Sequence, residues 1–318
     1  MSNFNKYYTT KPIPKSILFR ADSSSIIGTG HIMRDLVLAK EFDGAKISFA
    51  VQELPGNINH KIAQEGYGIH LLHSNNAVEL IDLIMQNNIE MIVIDHYGID
   101  SLFEQELKAA TGVEIFVLDD TYEKHHCDIL LNHNIYADAT KYQGLVPESC
   151  ELRCGANYTL LREEFHMEKQ KGRVNRNDPQ NYRVFIAMGG ADHRNLNGAI
   201  LDVLQQFPTI YADVVTTTAN QNLEALQAYV KENEHIKLHI NTDRIAQLMN
   251  EADLAIVTPS VTLNEIVFLD IPFIAIQTAE NQKFMVEYIL QKYPQNMIDH
   301  FDGALLREKV EVRLRCLN

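Results

Sequence analysis

The sequence predicts an α/β protein made of two doubly wound parallel sheets in series. Short apolar runs rich in Ile, Val, Leu and Phe alternate with helical patterns through both halves of the chain. The runs are mostly continuous rather than alternating, as in strands buried on both faces. The alternation lapses once near the middle, and a length of 318 residues suits about two domains.

In the first half, strands are predicted at 17–19, 46–51, 68–72, 91–95, 114–118 and 128–132. Helices are predicted at 31–42, 57–64, 77–87 and 101–110, and Ile32, Leu36 and Ala39 share one face of the first. Residues 134–149 read as a tyrosine-containing loop region, and 151–162 as strand or turn. From 168 to 181 the chain is Gln, Lys, Arg, Asn and Asp with a proline, the composition of an exposed linker. The second half resumes with strands at 183–187, 212–216, 236–239, 254–257 and 273–276. Helices are expected at 195–206, 223–232, 243–250, 262–269 and 283–292, and a last one at 304–314. The expected organisation is an N-terminal domain at 16–165, a linker at 166–181, a second domain at 182–303 and a tail helix at 304–318.

Hydrophobic residues make up 46% of the chain and charged residues 22%, the balance of an ordinary globular protein. The formal net charge is −14 without any Lys/Arg run, which argues against nucleic acid or an anionic membrane as partner. A small molecule is the expected partner, and a few local donors suffice to bind an anionic one. Cys127, Cys150, Cys154 and Cys316 form no C-x-x-C pair and lack zinc spacing, so reduced thiols and no metal site are expected. The polar residues 1–15 contain no signal-peptide h-region, and no stretch of about 18 apolar residues occurs. A cytoplasmic monomer without a cofactor is the expectation.

Ligands of doubly wound sheets bind outside the carboxyl ends of the strands, so strand-end residues are the candidates. The first strand runs through Arg20, Asp22 and three serines into Gly28-Thr29-Gly30, then His31 and Arg34 on the following helix. Glycines permit close backbone approach, and a helix start offers unpaired N–H groups to an anion. A plain strand–helix turn explains the same stretch equally well. Asp95-His96-Tyr97-Gly98 ends a very apolar strand, where a histidine and a phenol suit a sugar, or a structural histidine. Asp119-Asp120 is a paired carboxylate at another strand end, where solvated acids are commoner than metal ligands. In the second half, Met188-Gly189-Gly190 follows a strand and is neither a P-loop nor a dinucleotide fingerprint. Thr258-Pro259-Ser260 also ends a strand, and Glu265 lies in the first turns of the next helix. That carboxylate suits a ribose diol, a helix dipole, or a capping box with Thr262. Ser23 lacks a nucleophile elbow, which speaks against a serine hydrolase.

Together these segments resemble the UDP-sugar hydrolases of pseudaminic acid biosynthesis. The likeness rests on Asp22-Ser23-Ser24-Ser25, Ile27-Gly28-Thr29-Gly30-His31-Ile32-Met33-Arg34, Ile94–Ile99, and His125-His126-Cys127-Asp128. It continues through Gly144-Leu145-Val146-Pro147, Arg153-Cys154-Gly155, Leu161–Phe165, Met188-Gly189-Gly190, Leu248–Glu251 and Asn264-Glu265. It spans roughly residues 16 to 290. The resemblance implies a GT-B architecture, with two Rossmann-like domains facing a cleft. It implies hydrolysis of UDP-2,4-diacetamido-2,4,6-trideoxy-β-L-altropyranose by water attack at the anomeric carbon, with inversion and release of UDP. His31 aligns with the catalytic histidine and is assigned the attacking water; proximity in sequence makes Asp22 the expected orienting residue. Tyr97 aligns with a tyrosine near the sugar. Gly28, Gly30, Arg34, Arg162, Gly189, Gly190, Ser260, Leu263, Asn264, Glu265 and Asn281 are the implied substrate and UDP contacts, Glu265 on the ribose. A helix N-terminus of the second domain is expected to hold the leaving diphosphate without a metal. Thr258-Pro259-Ser260-Val261 departs from the family's usual serine-rich segment. A GT-B glycosyltransferase and a non-catalytic nucleotide-sugar binding protein remain the alternatives.

Overall fold

A computed structural model describes residues 13–173 and 180–317, which divide after Leu161 into two compact units. The first unit is built on seven parallel strands: β1 (Ser16–Ala21), β2 (Lys46–Gln52), β3 (Gly68–Leu72), β4 (Met91–Asp95), β5 (Glu114–Leu118), β6 (Ile129–Asn132) and β7 (Glu151–Cys154). Helices α1 (Gly30–Ala39), α2 (Asn59–Gln64), α3 (Ala77–Asn87) and α4 (Ser101–Thr111) make the crossovers. The strand order is β3-β2-β1-β4-β5-β6-β7, so the winding reverses between β1 and β4. That reversal opens a crevice at their carboxyl ends.

Both faces of this sheet are covered, as the continuous apolar runs predict. Ile17, Phe19 and Ala21 pack on one side with Phe42, Phe49 and Phe116, while Leu18, Ile92, Ile94 and Val117 pack on the other. β1 extends past its apolar run because its ladder with β4 continues, pairing Arg20 with Ile94 and Ala21 with Asp95. Arg20 is fully buried there. It is tolerated because its guanidinium donates to Asp22 Oδ2 at 2.8 Å and to the Ala21 and Ala50 carbonyls at 3.2 and 3.4 Å.

The second unit carries helix α5 (Glu163–Lys171) ahead of a six-stranded parallel sheet. Its strands are β8 (Tyr182–Ala187), β9 (Ile210–Thr216), β10 (Ile236–Ile240), β11 (Leu254–Val257), β12 (Phe273–Ile276) and β13 (Met297–Ile298). The order β10-β9-β8-β11-β12-β13 places a second reversal between β8 and β11. Helices α6 (Leu196–Leu204), α7 (Leu223–Lys231), α8 (Ile245–Glu251), α9 (Val261–Phe268), α10 (Lys283–Lys292) and α11 (Gly303–Leu317) flank it. No described helix is long and apolar enough to cross a membrane.

The chain departs from expectation at the edges of the domains. Residues 166–171, read as linker, belong to α5. One side of that polar helix is held down by the buried ring of Phe165 and by Asn250 on α8, whose Nδ2 donates to Glu168 Oε2 at 3.1 Å and to the Gly172 carbonyl at 3.0 Å. The rest of the expected linker, 174–179, and most of the polar N-terminus, 1–12, lie outside the described residues. Residues 304–317 are not a detached tail, since Leu306, Val310 and Leu314 repeat every fourth position and join the core of the second unit.

A buried ionic group ties α4 to the loop after β5. Glu104, with no exposed surface, accepts from His125 Nδ1 at 2.7 Å and from the His126 backbone N–H at 2.5 Å. Asp119 Oδ1 lies 3.7 Å from the other His125 nitrogen. Burial alone would lower the His125 pKa, but Asp119 and Glu104 outweigh it and raise it from 6.5 to about 9. Its imidazolium therefore stabilises the fold fully below pH ~6.5, and that contribution is lost as the pH rises through ~9. We expect the stability difference between wild type and His125→Gln to shrink by about 3 kcal/mol between pH 6 and 10, measured by urea denaturation. A difference that does not change with pH would contradict the ion group.

Candidate active site

At the β1–β4 crevice, Asp95 ends β4 with almost no exposed surface. Two residues one turn apart on α1 converge on it. Arg34 donates from Nε to Asp95 Oδ2 at 2.6 Å and from Nη2 to Oδ1, and His31 Nδ1 lies 2.7 Å from Oδ1. Burial would raise the Asp95 pKa, but Arg34, with His31, holds the carboxyl well below the usual range. Burial likewise works against the Arg34 charge, and Asp95 and Asp120 raise its pKa further. An ionised Asp95 accepts a hydrogen bond from His31 Nδ1–H, which leaves the Nε2 lone pair free.

Arg34 also bonds Asp120 Oδ2 at 3.0 Å, and the Tyr97 hydroxyl donates to Asp120 Oδ1 at 2.9 Å. Tyr97 stands edge-on to His31, with ring centroids 4.9 Å apart, and is 67% exposed. Desolvation of the hydroxyl against Asp120, then the Asp120 charge, raises the phenol well above its ordinary range although the ring is exposed. Two further titratable groups lie buried near the Asp95–Arg34 pair, with no hydrogen-bond partner for their side chains. Burial, then the Asp95 charge, raises the Asp35 carboxyl well above its ordinary range, while burial, then Arg34, pushes His133 down to about 3. Both shifts favour the neutral form.

The structure corrects one role. Asp22 does not reach His31; its carboxylate accepts from Arg20, from the Gln52 backbone N–H at 2.7 Å, and pairs with His96 Nε2 at 3.1 Å. Asp95 is the orienting carboxylate instead. Its signal in the sequence was a carboxylate ending the most apolar strand, but pairing with a helix 60 residues earlier depends on the parallel register. Asp119 and Asp120 also part company: Asp119 accepts from Tyr142 at 2.6 Å and from Thr121 at 2.8 Å, while Asp120 faces Arg34 and Tyr97. Gly28, at φ +87°, spends its N–H on the Ser24 carbonyl at 2.9 Å, so it shapes the loop rather than offering a donor. Gly30 begins α1 with open space where a side chain would stand.

In the second unit, Gly189 takes φ +82°, and a Cβ on Gly190 would come within 2.8 Å of Thr217 Cγ2. The loop therefore requires both glycines. The helix it feeds is already capped: Asp192 accepts from the Leu196 and Asn197 N–H groups at 2.8 and 2.9 Å. The start of α9 differs, since Ser260 precedes it without capping it through a side-chain bond. Glu265, on the second turn of α9, lies 3.5 Å from Arg162 Nη2, and Arg162 also pairs with Glu164 at 2.8 Å. Burial, opposed by Arg162, raises the Glu265 pKa to about 7. Leu263 is wholly buried and Asn264 nearly so, whereas Asn281 is exposed on the short turn before α10. The structure thus gathers His31, Arg34 and Tyr97 in one unit, and Arg162, Ser260 and Glu265 in the other. A cavity of about 500 Å³ in the second unit lies at the amino ends of β9 and β10, away from these residues.

No family model matches the sequence. The UDP-2,4-diacetamido-2,4,6-trideoxy-beta-L-altropyranose hydrolase of Campylobacter jejuni is 42% identical over 277 residues, which cover 87% of this chain and 96% of that protein. The spore coat polysaccharide biosynthesis protein SpsG of Bacillus subtilis is 23% identical over 204 residues, 63% of this chain and 59% of that protein. Among solved structures, MurG of Acinetobacter baumannii superposes with a TM-score of 0.67 at 13% identity, covering 96% of this chain and 92% of that one. UGT89C1 of Arabidopsis thaliana, complexed with UDP-L-rhamnose, gives 0.63 at 9% identity, with 96% and 91% covered. The structural likenesses show a shared GT-B fold. The sequence likeness, which extends over nearly the whole relative, shows that the chain belongs to the UDP-2,4-diacetamido-2,4,6-trideoxy-beta-L-altropyranose hydrolase family.

Proposed function

We propose that this chain hydrolyses UDP-2,4-diacetamido-2,4,6-trideoxy-β-L-altropyranose, releasing UDP and the free sugar with inversion, as a step of pseudaminic acid biosynthesis. The observation that carries the proposal is the His31–Asp95 dyad, buried by Arg34 at the β1–β4 crevice of a chain 42% identical to such a hydrolase. His31 Nε2 takes a proton from water as the water oxygen bonds to the anomeric carbon. The carbon–oxygen bond to the β-phosphate breaks, and its electron pair leaves with UDP. Asp95 acts as a positioning residue, holding the imidazole in the productive tautomer and stabilising the imidazolium that forms. Tyr97 offers an exposed aromatic edge beside His31 for the sugar. The uncapped start of α9 suits the diphosphate and Glu265 the ribose diol. The Gly189-Gly190 loop then serves close backbone approach, since Asp192 occupies the first N–H groups of α6. The four unpaired thiols suit a reducing cytoplasm, and the same reading has a monomer act without a metal.

Turnover in ¹⁸O-labelled water tests the bond that breaks. The label is expected on the sugar; label on UDP would place attack at phosphorus and overturn the assigned role of His31. Variants separate chemistry from binding. His31→Phe is expected to lower kcat by about 10²–10⁴-fold and Asp95→Asn by a comparable factor, with the Kd for UDP unchanged in calorimetry. Full activity in either would sink the dyad. Glu265 supplies a pH dependence. Its raised pKa means the carboxylate fills as the pH rises through ~7, so uridine should bind about tenfold more tightly at pH 8 than at pH 6. Uridine carries no phosphate to titrate in this range, and Glu265→Gln should flatten the profile in an NMR titration.

A further inference from the structure

Tyr97 occupies the second position of the turn that follows β4. The Ile99 N–H donates to the His96 carbonyl at 3.1 Å and closes the turn, and the buried Ile99 side chain pins its far end. The Gly98 N–H donates to His96 Nδ1 at 3.0 Å, the bond that an Asn or Asp side chain makes in an Asx-turn. The Gly98 carbonyl accepts from Asn75 Nδ2 at 2.9 Å. A Cβ on Gly98 would come within 2.8 Å of His96 Cε1, so glycine is what lets the imidazole lie against the turn. This glycine serves close approach and not a left-handed backbone.

The bond from Gly98 fixes the His96 tautomer. Nδ1 presents its lone pair to a backbone N–H, so the proton sits on Nε2 and is donated to Asp22 Oδ2 at 3.1 Å. Asp22 is itself immobilised, 1% exposed, by Arg20 and by the Gln52 N–H. Arg20 Nη2 also donates to Asn75 Oδ1 at 3.1 Å. Both side chains that grip the turn, His96 and Asn75, are therefore anchored on the buried Arg20–Asp22 pair. Tyr97 has no such packing of its own. A ring 67% exposed keeps its rotamer freedom unless its backbone and its hydroxyl are both held. Asp120 holds the hydroxyl, and the turn holds the backbone.

We infer that His96 is a positioning residue, which in its Nε2–H tautomer ties the Tyr97 turn to Asp22 and so keeps the Tyr97 ring beside His31. The inference deepens the hydrolase reading and rests on it for the place of Tyr97 at the sugar. The two histidines divide the work by tautomer. His31 gives Nδ1–H to Asp95 and keeps Nε2 for water, whereas His96 spends both nitrogens within the protein and has none left for proton transfer. Asp22 then acts on Tyr97 through His96, and not on His31.

A double-mutant cycle tests the coupling. His96→Ala is expected to lower kcat/KM for the UDP-diacetamido sugar by about 10- to 100-fold, with the Kd for UDP unchanged. In a Tyr97→Ala background the same change should cost less than about twofold, because its effect runs through Tyr97. Equal losses in both backgrounds, or full activity of His96→Ala, would overturn the inference. Should His96→Ala fail to fold, Gly98→Ala replaces it in the cycle, since its Cβ displaces the imidazole, and the same loss and the same dependence on Tyr97 are expected. A second measurement needs no turnover. In wild-type protein with labelled aromatic rings, NMR should show magnetisation transfer between the Tyr97 and His31 rings and a His96 protonated on Nε2. The transfer should vanish in whichever of the two variants is folded. A His96 proton on Nδ1, or unchanged transfer in that variant, would also overturn the inference. Failure of the wild type to release UDP while the ring contact still depends on His96 would instead count against the hydrolase reading and leave the positioning role standing.

Discussion

The buried carboxylate of Asp95 is the constraint on which the first unit's chemistry depends. The parallel ladder sets it opposite Ala21, at the crevice where the sheet reverses its winding. An ionised carboxylate in that position is costly unless paired and hydrogen-bonded, and α1 supplies both partners from one face. Arg34 donates to both carboxylate oxygens, and His31 shares Oδ1 with it. The helix cannot rotate or slide without leaving a buried charge uncompensated. Such pairs contribute little net stability compared with apolar packing, so their value here is positional. They fix a histidine, its tautomer and the direction of its free nitrogen at once. The shifts of Asp35 and His133 toward their neutral forms fit the same logic, because a further ionised group beside the pair would compete for Arg34 or repel it.

The two helix starts of the second unit show how local chemistry sorts similar motifs. Both α6 and α9 follow a buried strand and a turn of small residues. Asp192 closes the first with two hydrogen bonds and brings a negative charge to the place where an anion would otherwise sit. No side chain closes the second, and Glu265 lies one turn further in. The glycine pair therefore marks a tight turn against Thr217, while the hydroxyl-rich turn before α9 carries the better case for a phosphate.

Much of this was legible in the sequence because parallel strands advertise themselves. The runs at 91–95 and 254–257 are apolar throughout, and both are buried strands at the reversal points. His31, Tyr97 and Glu265 were singled out by the resemblance, since their strand-end and helix-start positions alone left structural readings open. The misses share a cause, which is that partners distant in sequence decide them. Asp22 lies close to His31 in the chain but faces the opposite way, into Arg20 and His96, because β1 continues through two further ladder positions. Asp95 reaches His31 only through the β1–β4 register. The helix α5 has too polar a face to show its periodicity, since its anchors are one phenylalanine and hydrogen bonds to Asn250. β13 is two residues long, below the reach of any pattern.

A fold shared with MurG at 13% identity leaves the reaction undetermined, because one scaffold supports many chemistries and function resides in the site. What separates hydrolysis from transfer is the group that activates the nucleophile and the space left for it. On the proposed roles, the base is assembled from α1 and β4 of the first unit. The groups suited to ribose and diphosphate are assembled wholly within the second, from α5 and α9. Arg34 holds Asp95 ionised, whereas Arg162, at 3.5 Å, only partly offsets the burial of Glu265. An imidazole already fixed by a buried carboxylate requires no acceptor to complete it, which makes water a competent nucleophile wherever the anomeric carbon is brought to Nε2.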